Sequence, residues 1–70
     1  MKRTQVKSSV LKSVGYDEAT RTLEVEFARD GDVYAFFPVP PGLFAELMRA
    51  ASVGTFFDQR IRHHFIYRRT

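Results

Sequence analysis

The sequence predicts a small α+β domain, in which an antiparallel sheet of three strands is packed by one amphipathic helix. Three observations support this prediction. Residues 22–28, TLEVEFA, alternate apolar and polar side chains, as half-buried strands do. The Asp30-Gly31 pair that follows is typical of a tight hairpin turn. Residues 43–51 then repeat apolar side chains at helical spacing, directly after a cluster of prolines.

Length and composition predict a single domain spanning residues 1–70. A chain of 70 residues holds one small core, and its hydrophobic content of 44%, with seven Phe and three Tyr, is typical of folded rather than disordered chains. There is no cysteine, so the fold must be stabilised by packing rather than by disulfides or thiolate-bound metal.

The first predicted strand lies within residues 8–17, which are rich in β-branched side chains and end in a Gly-Tyr-Asp turn signal. Its alternation is imperfect, because Leu11 and Val14 have opposite parity, and this pattern allows a β-bulge or a shift in register. The polar residues 1–7 before it are predicted to be flexible.

Residues 33–37 form the third predicted strand, and two interpretations of its aromatic residues stay open. Tyr34 and Phe36 share one face, where an exposed pair would stack unpaired bases. Alternatively they pack in the core or under a C-terminal segment folded over the sheet. The second interpretation is favoured, because Glu24 and Glu26 would lie on the outward face of the neighbouring strand and repel phosphate.

Two helices are predicted after the prolines. Pro41 suits the first turn of a helix, since its missing N–H has no partner there in any case. The apolar stripe of this helix consists of Leu43, Phe44, Leu47, Met48 and Ala51. Gly54 is predicted to stop it in a left-handed conformation, and Thr55 with Asp58 to start a short second helix that ends near Ile61. A basic aromatic tail follows.

Charge is segregated along the chain, although the net charge is only +3. All eight acidic residues lie between two purely basic ends. If the ends meet in space, they create a basic face suited to a polyanion or to an acidic protein surface. The alternative is that basic termini merely neutralise an acidic middle. The cations of the ends are Lys2, Arg3, Lys7 and Lys12 in one, and Arg60, Arg62, Arg68 and Arg69 in the other.

Enzyme and metal signatures are poor. His63 and His64 are adjacent, so their side chains diverge and form a weak pair for one metal ion. No convergent set of catalytic groups is visible, and the sequence predicts a protein that is not an enzyme and needs no cofactor or metal. No apolar run approaches the roughly 18 residues of a membrane span, so we expect a cytoplasmic protein without membrane contact.

The candidate RNA-binding residues combine the basic ends with nearby aromatic side chains. Phe65 and Tyr67 share a parity, so in an extended tail they would dock on the domain and anchor the cations around them. The full candidate set is Lys2, Arg3, Lys7, Lys12, Tyr34, Phe36, Arg60, Arg62, His63, His64, Tyr67, Arg68 and Arg69. The alternative for the tail is a solvated end without a ligand.

The order and spacing of short motifs resemble the KTSC domain family over nearly the whole chain. The motifs are Ser9, Ser13-Val14-Gly15-Tyr16-Asp17, Leu23-x-Val25-x-Phe27, Gly31-x-x-Tyr34-x-Phe36, Val39-Pro40, Ala51-Ser52-x-Gly54-x-Phe56-Phe57 and Ile61. The resemblance implies a small α+β domain with a suspected RNA-binding role and no catalytic residues. Members attached to some lysyl-tRNA synthetases suggest tRNA as the ligand. The central Tyr-x-Tyr element of the family is Tyr34-Ala35-Phe36 here, so a role that needs the second hydroxyl is in doubt.

Two functional hypotheses follow. The first is a non-catalytic RNA-binding module that contacts tRNA or single-stranded RNA through a basic surface with aromatic support. The alternative is a small adaptor or inhibitor that docks on a larger acidic partner, such as a polymerase or synthetase. In that case Phe56, Phe65 and Tyr67 would form the hot spot. A monomer or weak dimer is expected in either case.

Overall fold

Residues 2–70 are described in a computed structural model of the chain, which contains one five-stranded sheet and two helices. The elements are β1 (Arg3–Gln5), β2 (Leu11–Asp17), β3 (Thr22–Phe27), β4 (Val33–Phe37), α1 (Pro41–Arg49), α2 (Val53–Arg60) and β5 (Ile66–Arg69). The α+β class is as predicted.

The sheet has five strands where the sequence predicts three, and the strands lie in the order β1-β2-β3-β4-β5. Every neighbouring pair is antiparallel. The additional strands are the two edges, which are three and four residues long and consist of exposed residues only. Short exposed strands bury no apolar face, so they leave no alternation in the sequence to detect. Of residues 1–7, which are predicted to be flexible, Arg3–Gln5 pair with β2, and Met1 lies outside the described residues.

A β-bulge in β2 explains its imperfect alternation. Leu11 pairs with Phe27 and Ser13 pairs with Glu26, with a register shift between these pairs. The extra residue brings both Leu11 and Val14 to the buried face, where they are 0% and 1% exposed. The bulge allowed by the sequence pattern is therefore confirmed.

The hairpin between β3 and β4 closes as predicted. Gly31 has a φ of +77°, a left-handed conformation that costs a glycine little. Its N–H donates to the Phe27 carbonyl, and the Asp32 N–H donates to the carboxylate of Asp30. These bonds fix the shape of the β3–β4 loop (residues 28–32), which forms one wall of the site described below.

The first helix begins at Pro41 as predicted, but the second begins earlier than expected. Ser52 is the N-cap of α2, and its hydroxyl accepts a hydrogen bond from the Thr55 N–H. The predicted role of Gly54 as a left-handed stop is wrong, because Gly54 lies inside α2 and is buried against Ser8 and Val10. Gly54 is required for close packing against Ser8 and Val10, and the sequence alone does not distinguish this role from that of a glycine that ends a helix.

The core lies between one face of the sheet and the two helices. Tyr34 and Phe36 share this inner face with Leu23 and Val25, which are their partners across the strands. The favoured interpretation, in which Tyr34 and Phe36 pack toward the core, is therefore confirmed. The fully buried large side chains are Phe57, Leu11, Leu23, Leu47, Ile61, Val14, Val25 and Val39.

The strands at the two basic ends of the chain, β1 and β5, form opposite edges of the sheet. Three strands separate them, which corresponds to about 19 Å at the usual strand spacing. The condition for one basic face is therefore not met by β1 and β5, although the residues just before β2 line the same cleft as Arg62, His63 and Tyr67. A sequence reports how charge is distributed along the chain, but strand order decides where it lies in space.

Candidate functional site

One cleft of about 480 Å³ opens beside the C-terminal strand, and we call it the aromatic cleft. The helices do not cover this end of the inner face. Three segments bound the cleft, namely the β3–β4 loop, the connection between α2 and β5, and residues just before β2. Its lining residues are Ser9, Val10, Phe27, Arg29, Asp30, Asp32, Tyr34, Phe36, Arg62, His63 and Tyr67.

Aromatic rings form the floor of the cleft. Tyr67 lies opposite Phe36 in the strand register, and its ring centroid is 5.6 Å from that of Phe36 and 5.8 Å from that of Tyr34. Phe27 meets Tyr34 edge to face at 5.5 Å. Tyr67 is 58% exposed whereas Phe36 is only 2% exposed. Tyr67 therefore presents a ring to solvent, and Phe36 supports it from below.

Cationic side chains stand at the rim. Arg62 forms an ion pair with Asp58 at 3.1 Å, and its guanidinium lies 5.3 Å from the ring centroids of Phe27 and Phe57. Such cation–π contacts hold the guanidinium in place and leave some of its N–H groups to bind a ligand. Arg29, in the β3–β4 loop, and His63 are both exposed. The rim thus offers donors to an anion from two sides.

Two carboxylates belong to the wall formed by the β3–β4 loop. Asp32 accepts a hydrogen bond from Arg69 at 3.0 Å through its Oδ1 atom. Asp30 accepts the Asp32 N–H through its own Oδ1 atom, also at 3.0 Å. The cleft is therefore mixed in charge rather than uniformly basic, and each carboxylate has one hydrogen-bond partner.

The structure brings only part of the predicted RNA-binding set together. Tyr34, Phe36, Arg62, His63 and Tyr67 line the aromatic cleft. The remaining residues of the C-terminal end lie around or beyond it. Arg69 reaches the cleft through its hydrogen bond to Asp32, and the guanidinium of Arg60 lies 5.3 Å from the centroid of the Phe56 ring. The His64 ring is hydrogen-bonded to the Gln59 carbonyl at 3.1 Å. Arg68 lies in a depression on the other face of the sheet, with Thr20, Thr22 and Phe37.

The N-terminal candidates lie elsewhere. Arg3 in β1 pairs with Glu24 at 3.3 Å on the open face of the sheet, away from the helices. Lys2, Lys7 and Lys12 are exposed and do not line the cleft. The strand order places Arg3 at the far edge, whereas Lys12 belongs to β2 and Lys7 lies between these two strands.

Sequence reasoning missed the contribution of the β3–β4 loop. In the sequence, Arg29, Asp30 and Asp32 stand out only as the surroundings of the Asp30-Gly31 turn, within the part of the chain that holds the acidic residues. The loop reaches the site because β5 returns beside β4 and places Tyr67 next to Phe36. No local signal indicates this pairing, since Tyr67 lies 31 residues after its partner Phe36 in the chain (67 − 36 = 31).

Two further kinds of feature concern function, namely metal-binding clusters and membrane-spanning helices. Among residues 2–70, no group of three or more His, Cys, Asp or Glu side chains is placed to hold a metal ion. No helix in the same range has the length and apolarity needed to cross a bilayer.

Comparisons with known proteins agree on one family. A family model described as "KTSC domain" matches residues 7–65. An uncharacterised protein of Stutzerimonas stutzeri is 41% identical over 68 residues, covering 96% of this chain and 94% of that protein. A lysine–tRNA ligase of Nostoc punctiforme is 40% identical over 57 residues, covering 81% of this chain but only 10% of the ligase. The crystal structure of a KTSC domain protein from Yersinia pestis matches with a TM-score of 0.93 at 38% identity, covering 99% of this chain and 96% of that one.

Proposed function

We propose that this chain, which belongs to the KTSC domain family, is a non-catalytic module that binds RNA through the aromatic cleft. The single observation that carries the proposal is the exposed ring of Tyr67, held on an aromatic floor beside Arg29 and Arg62. The similarity of the chain to a segment of a lysine–tRNA ligase favours RNA as the ligand. A cytoplasmic location fits such a partner, and we propose it as well.

The chemistry of the cleft suits unpaired nucleotides. Bases stack on aromatic side chains, and each stack contributes about 1–3 kcal/mol to binding. Arg29 and Arg62 can donate to phosphate oxygens, which gives affinity without sequence preference. The ring and the cations lie in one cleft, so a single nucleotide can use both kinds of contact.

The proposed binding face is narrower than the candidate set from the sequence. We assign direct contacts to Tyr67, Arg29, Arg62 and His63, with Tyr34 and Phe36 as the support for the stacked base. Arg60, His64 and Arg69 border this face on the C-terminal side, whereas Arg68 lies on the other face of the sheet. Lys2, Arg3, Lys7 and Lys12 do not line the cleft, and we assign to them only long-range attraction.

A salt titration tests the proposal. Binding of a fluorescent single-stranded RNA of about ten nucleotides is measured by anisotropy from about 50 mM salt upward. If the cleft neutralises about three phosphates, the log–log slope is about −2. The absence of binding at the lowest salt, or an affinity that does not change with salt, contradicts the proposal.

Two neighbouring residues of β5 provide a matched pair of variants. Ile66 and Tyr67 are 65% and 58% exposed, but alternation places them on opposite faces of the sheet. We expect Tyr67→Ala to weaken RNA binding about tenfold through loss of stacking. Ile66→Ala, which removes similar exposed apolar surface, should leave affinity unchanged. Equal effects of the two substitutions would show that binding does not use the cleft.

A protein partner is the second candidate, and the edge strand β5 favours it. Its outer edge pairs with no other strand among residues 2–70, and Ile66 and Tyr67 are exposed along it. Such an edge can pair with an extended segment of another protein. The partner would be a larger protein with an acidic surface, such as a polymerase or synthetase. Of the predicted hot spot, Phe56 and Phe65 pack against the core, which leaves Tyr67 as its exposed member.

A pull-down from lysate, with and without nuclease, separates the two candidates. A protein that stays bound after nuclease treatment supports docking, whereas loss of every partner supports RNA. Sedimentation of the purified chain tests the proposed monomer or weak dimer, because self-association would cover the same exposed strand.

A further inference from the structure

We infer that the aromatic cleft selects one unpaired base that bears an exocyclic amino group, and that it disfavours uracil. The inference rests on the proposed RNA-binding function and adds a base preference to it. It follows from the size of the cleft, from its aromatic floor and from the two carboxylates in the wall formed by the β3–β4 loop.

The size of the cleft suits one nucleotide. Its volume of about 480 Å³ lies in the usual range for pockets that hold a small molecule. A base in a duplex is stacked on both sides and has its Watson–Crick edge occupied, so it presents neither a free face nor a free edge. The ligand is therefore a base displaced from the stack of a single strand, lying on the Tyr67 ring.

The carboxylates set the chemistry at the edge of that base. An ionised carboxylate only accepts hydrogen bonds. Asp30 and Asp32 each use one oxygen, for the Asp32 N–H and for Arg69 respectively. Within residues 2–70, no hydrogen bond engages the second oxygen of either side chain, so each can accept one more donor.

Amino-bearing bases supply that donor. Adenine, cytosine and guanine each present an NH₂ group, whereas uracil presents two carbonyl oxygens and a single N–H. A uracil in the same position would place carbonyl oxygens near carboxylate oxygens, which repel each other. Arg62 and His63 come from a different segment, the connection between α2 and β5, so they can hold the phosphate of this nucleotide, while Arg29, beside Asp30, contacts a neighbouring phosphate.

The test uses a uridine-only RNA strand and the same strand with one central adenine or cytosine. We expect the substituted strands to bind about fivefold or more tightly than the all-uridine strand. A duplex of the same sequence should bind more weakly than the single strand. Binding of AMP or CMP that is tighter than binding of the strand would overturn the assignment to an RNA strand.

Asp30→Asn is the informative variant, because the Asn carbonyl can still accept the Asp32 N–H while its amide offers a donor to uracil. We expect this variant to reduce the preference to below about twofold. Asp17→Asn is the matched control. It makes the same change of charge at a carboxylate that accepts the Ala19 N–H at 3.0 Å, but at the end of β2, outside the cleft.

The outcomes distinguish this inference from the function on which it rests. If all strands bind equally and binding still depends on Tyr67, the base preference is wrong and the RNA-binding function stands. If no strand binds, the proposed function itself fails. If Asp17→Asn changes the preference as much as Asp30→Asn does, the effect is one of net charge, and the role of the cleft carboxylates is overturned.

Discussion

At the residue scale, Gly54 lies where the first turn of α2 crosses the loop before β2. A Cβ atom built at Gly54 would be 2.7 Å from the Ser8 hydroxyl and 2.9 Å from a methyl group of Val10. The Ser8 hydroxyl also accepts the Val10 and Leu11 N–H groups, so it cannot move away without losing them. The close approach of helix and loop therefore depends on the absence of a side chain.

We expect Gly54→Ala to lower the free energy of unfolding by about 1–2 kcal/mol, because overpacking costs more than the gain in helix propensity. Gly42→Ala is the control, since nothing lies within 4 Å of a Cβ built at that position in α1. It should be neutral or stabilise by up to about 1 kcal/mol. Urea unfolding followed by circular dichroism measures both, and equal stabilisation by the two substitutions would contradict the contact.

Tyr16 joins the sheet to α1 at the opposite end of the core. Its ring stacks on Phe44 at a centroid distance of 4.6 Å, and its hydroxyl donates to the Val39 carbonyl. Desolvation by burial raises the pKa of Tyr16 above its usual value of 10.0, against a lowering by Arg21. Burial thus favours the neutral form in the folded chain.

A pH dependence follows from this raised pKa. The folded state holds the Tyr16 proton more tightly than the unfolded state, so the stabilising contribution is complete below pH 10.0 and is lost as the pH rises through the folded pKa. We expect the free energy of unfolding to fall above about pH 10. Tyr16→Phe should reduce that fall, and should cost about 1 kcal/mol near neutral pH through loss of the hydrogen bond. An unchanged alkaline fall in this variant would assign it to other groups.

At the element scale, the N-cap of α2 is Ser52, whereas the sequence predicts that this helix starts at Thr55. The expected start at Thr55 follows the spacing of Thr55 and Asp58, but the hydroxyl of Ser52 already accepts the Thr55 N–H at 3.3 Å. The two capping patterns overlap, and the packing of Gly54 on the loop before β2 decides between them. Helix boundaries of this kind depend on tertiary contacts, which a local motif does not contain.

We expect Ser52→Ala to lower the free energy of unfolding by about 1 kcal/mol, because the N-terminal N–H groups of α2 lose their side-chain acceptor. Ser52→Asp should restore most of this stability, since a carboxylate both caps the helix and interacts favourably with its dipole. Thermal unfolding of the three proteins checks the order. A Ser52→Ala variant as stable as the parent chain would mean that water caps this helix equally well.

The predictability of the strands has a simple physical basis. β3 is predictable because one of its faces is buried, which imposes alternation on residues 22–27, and β4 is predictable because the turn at Gly31 returns the chain beside β3. β1 and β5 were missed because their residues are exposed on both faces. They are strands because their backbones pair with β2 and β4, and this pairing produces no alternation of apolar and polar side chains in the sequence.

At the scale of the whole molecule, the strand order separates the two basic ends and limits what the sequence can say about the site. Tyr67, Arg62 and His63 were identifiable from the basic aromatic tail. Arg29, Asp30 and Asp32 were not, because their place beside Tyr67 depends on β5 pairing with β4. Aromatic and cationic side chains thus indicate a binding function, but topology decides which of them can bind the same ligand.

The separation predicts unequal effects of two exposed cations on RNA affinity. We expect Arg29→Ala, at the rim of the cleft, to weaken binding about fivefold at low salt and to reduce the salt slope by about 0.7. Lys2→Ala, which removes the same charge beyond the far edge, should weaken binding less than about twofold. Anisotropy titrations at several salt concentrations measure both effects. Equal losses would mean that the RNA spans the sheet from edge to edge.

The position of the last residue has a practical consequence for attaching the protein to a surface or to a second domain. The Thr70 N–H donates to the Val33 carbonyl at 2.9 Å, so any extension of the C-terminus would start next to the β3–β4 loop and crowd the opening of the cleft. An extension that leaves from the β1 side starts at the other edge of the sheet. A dye, resin linker or fusion partner therefore interferes least when it is joined ahead of Lys2.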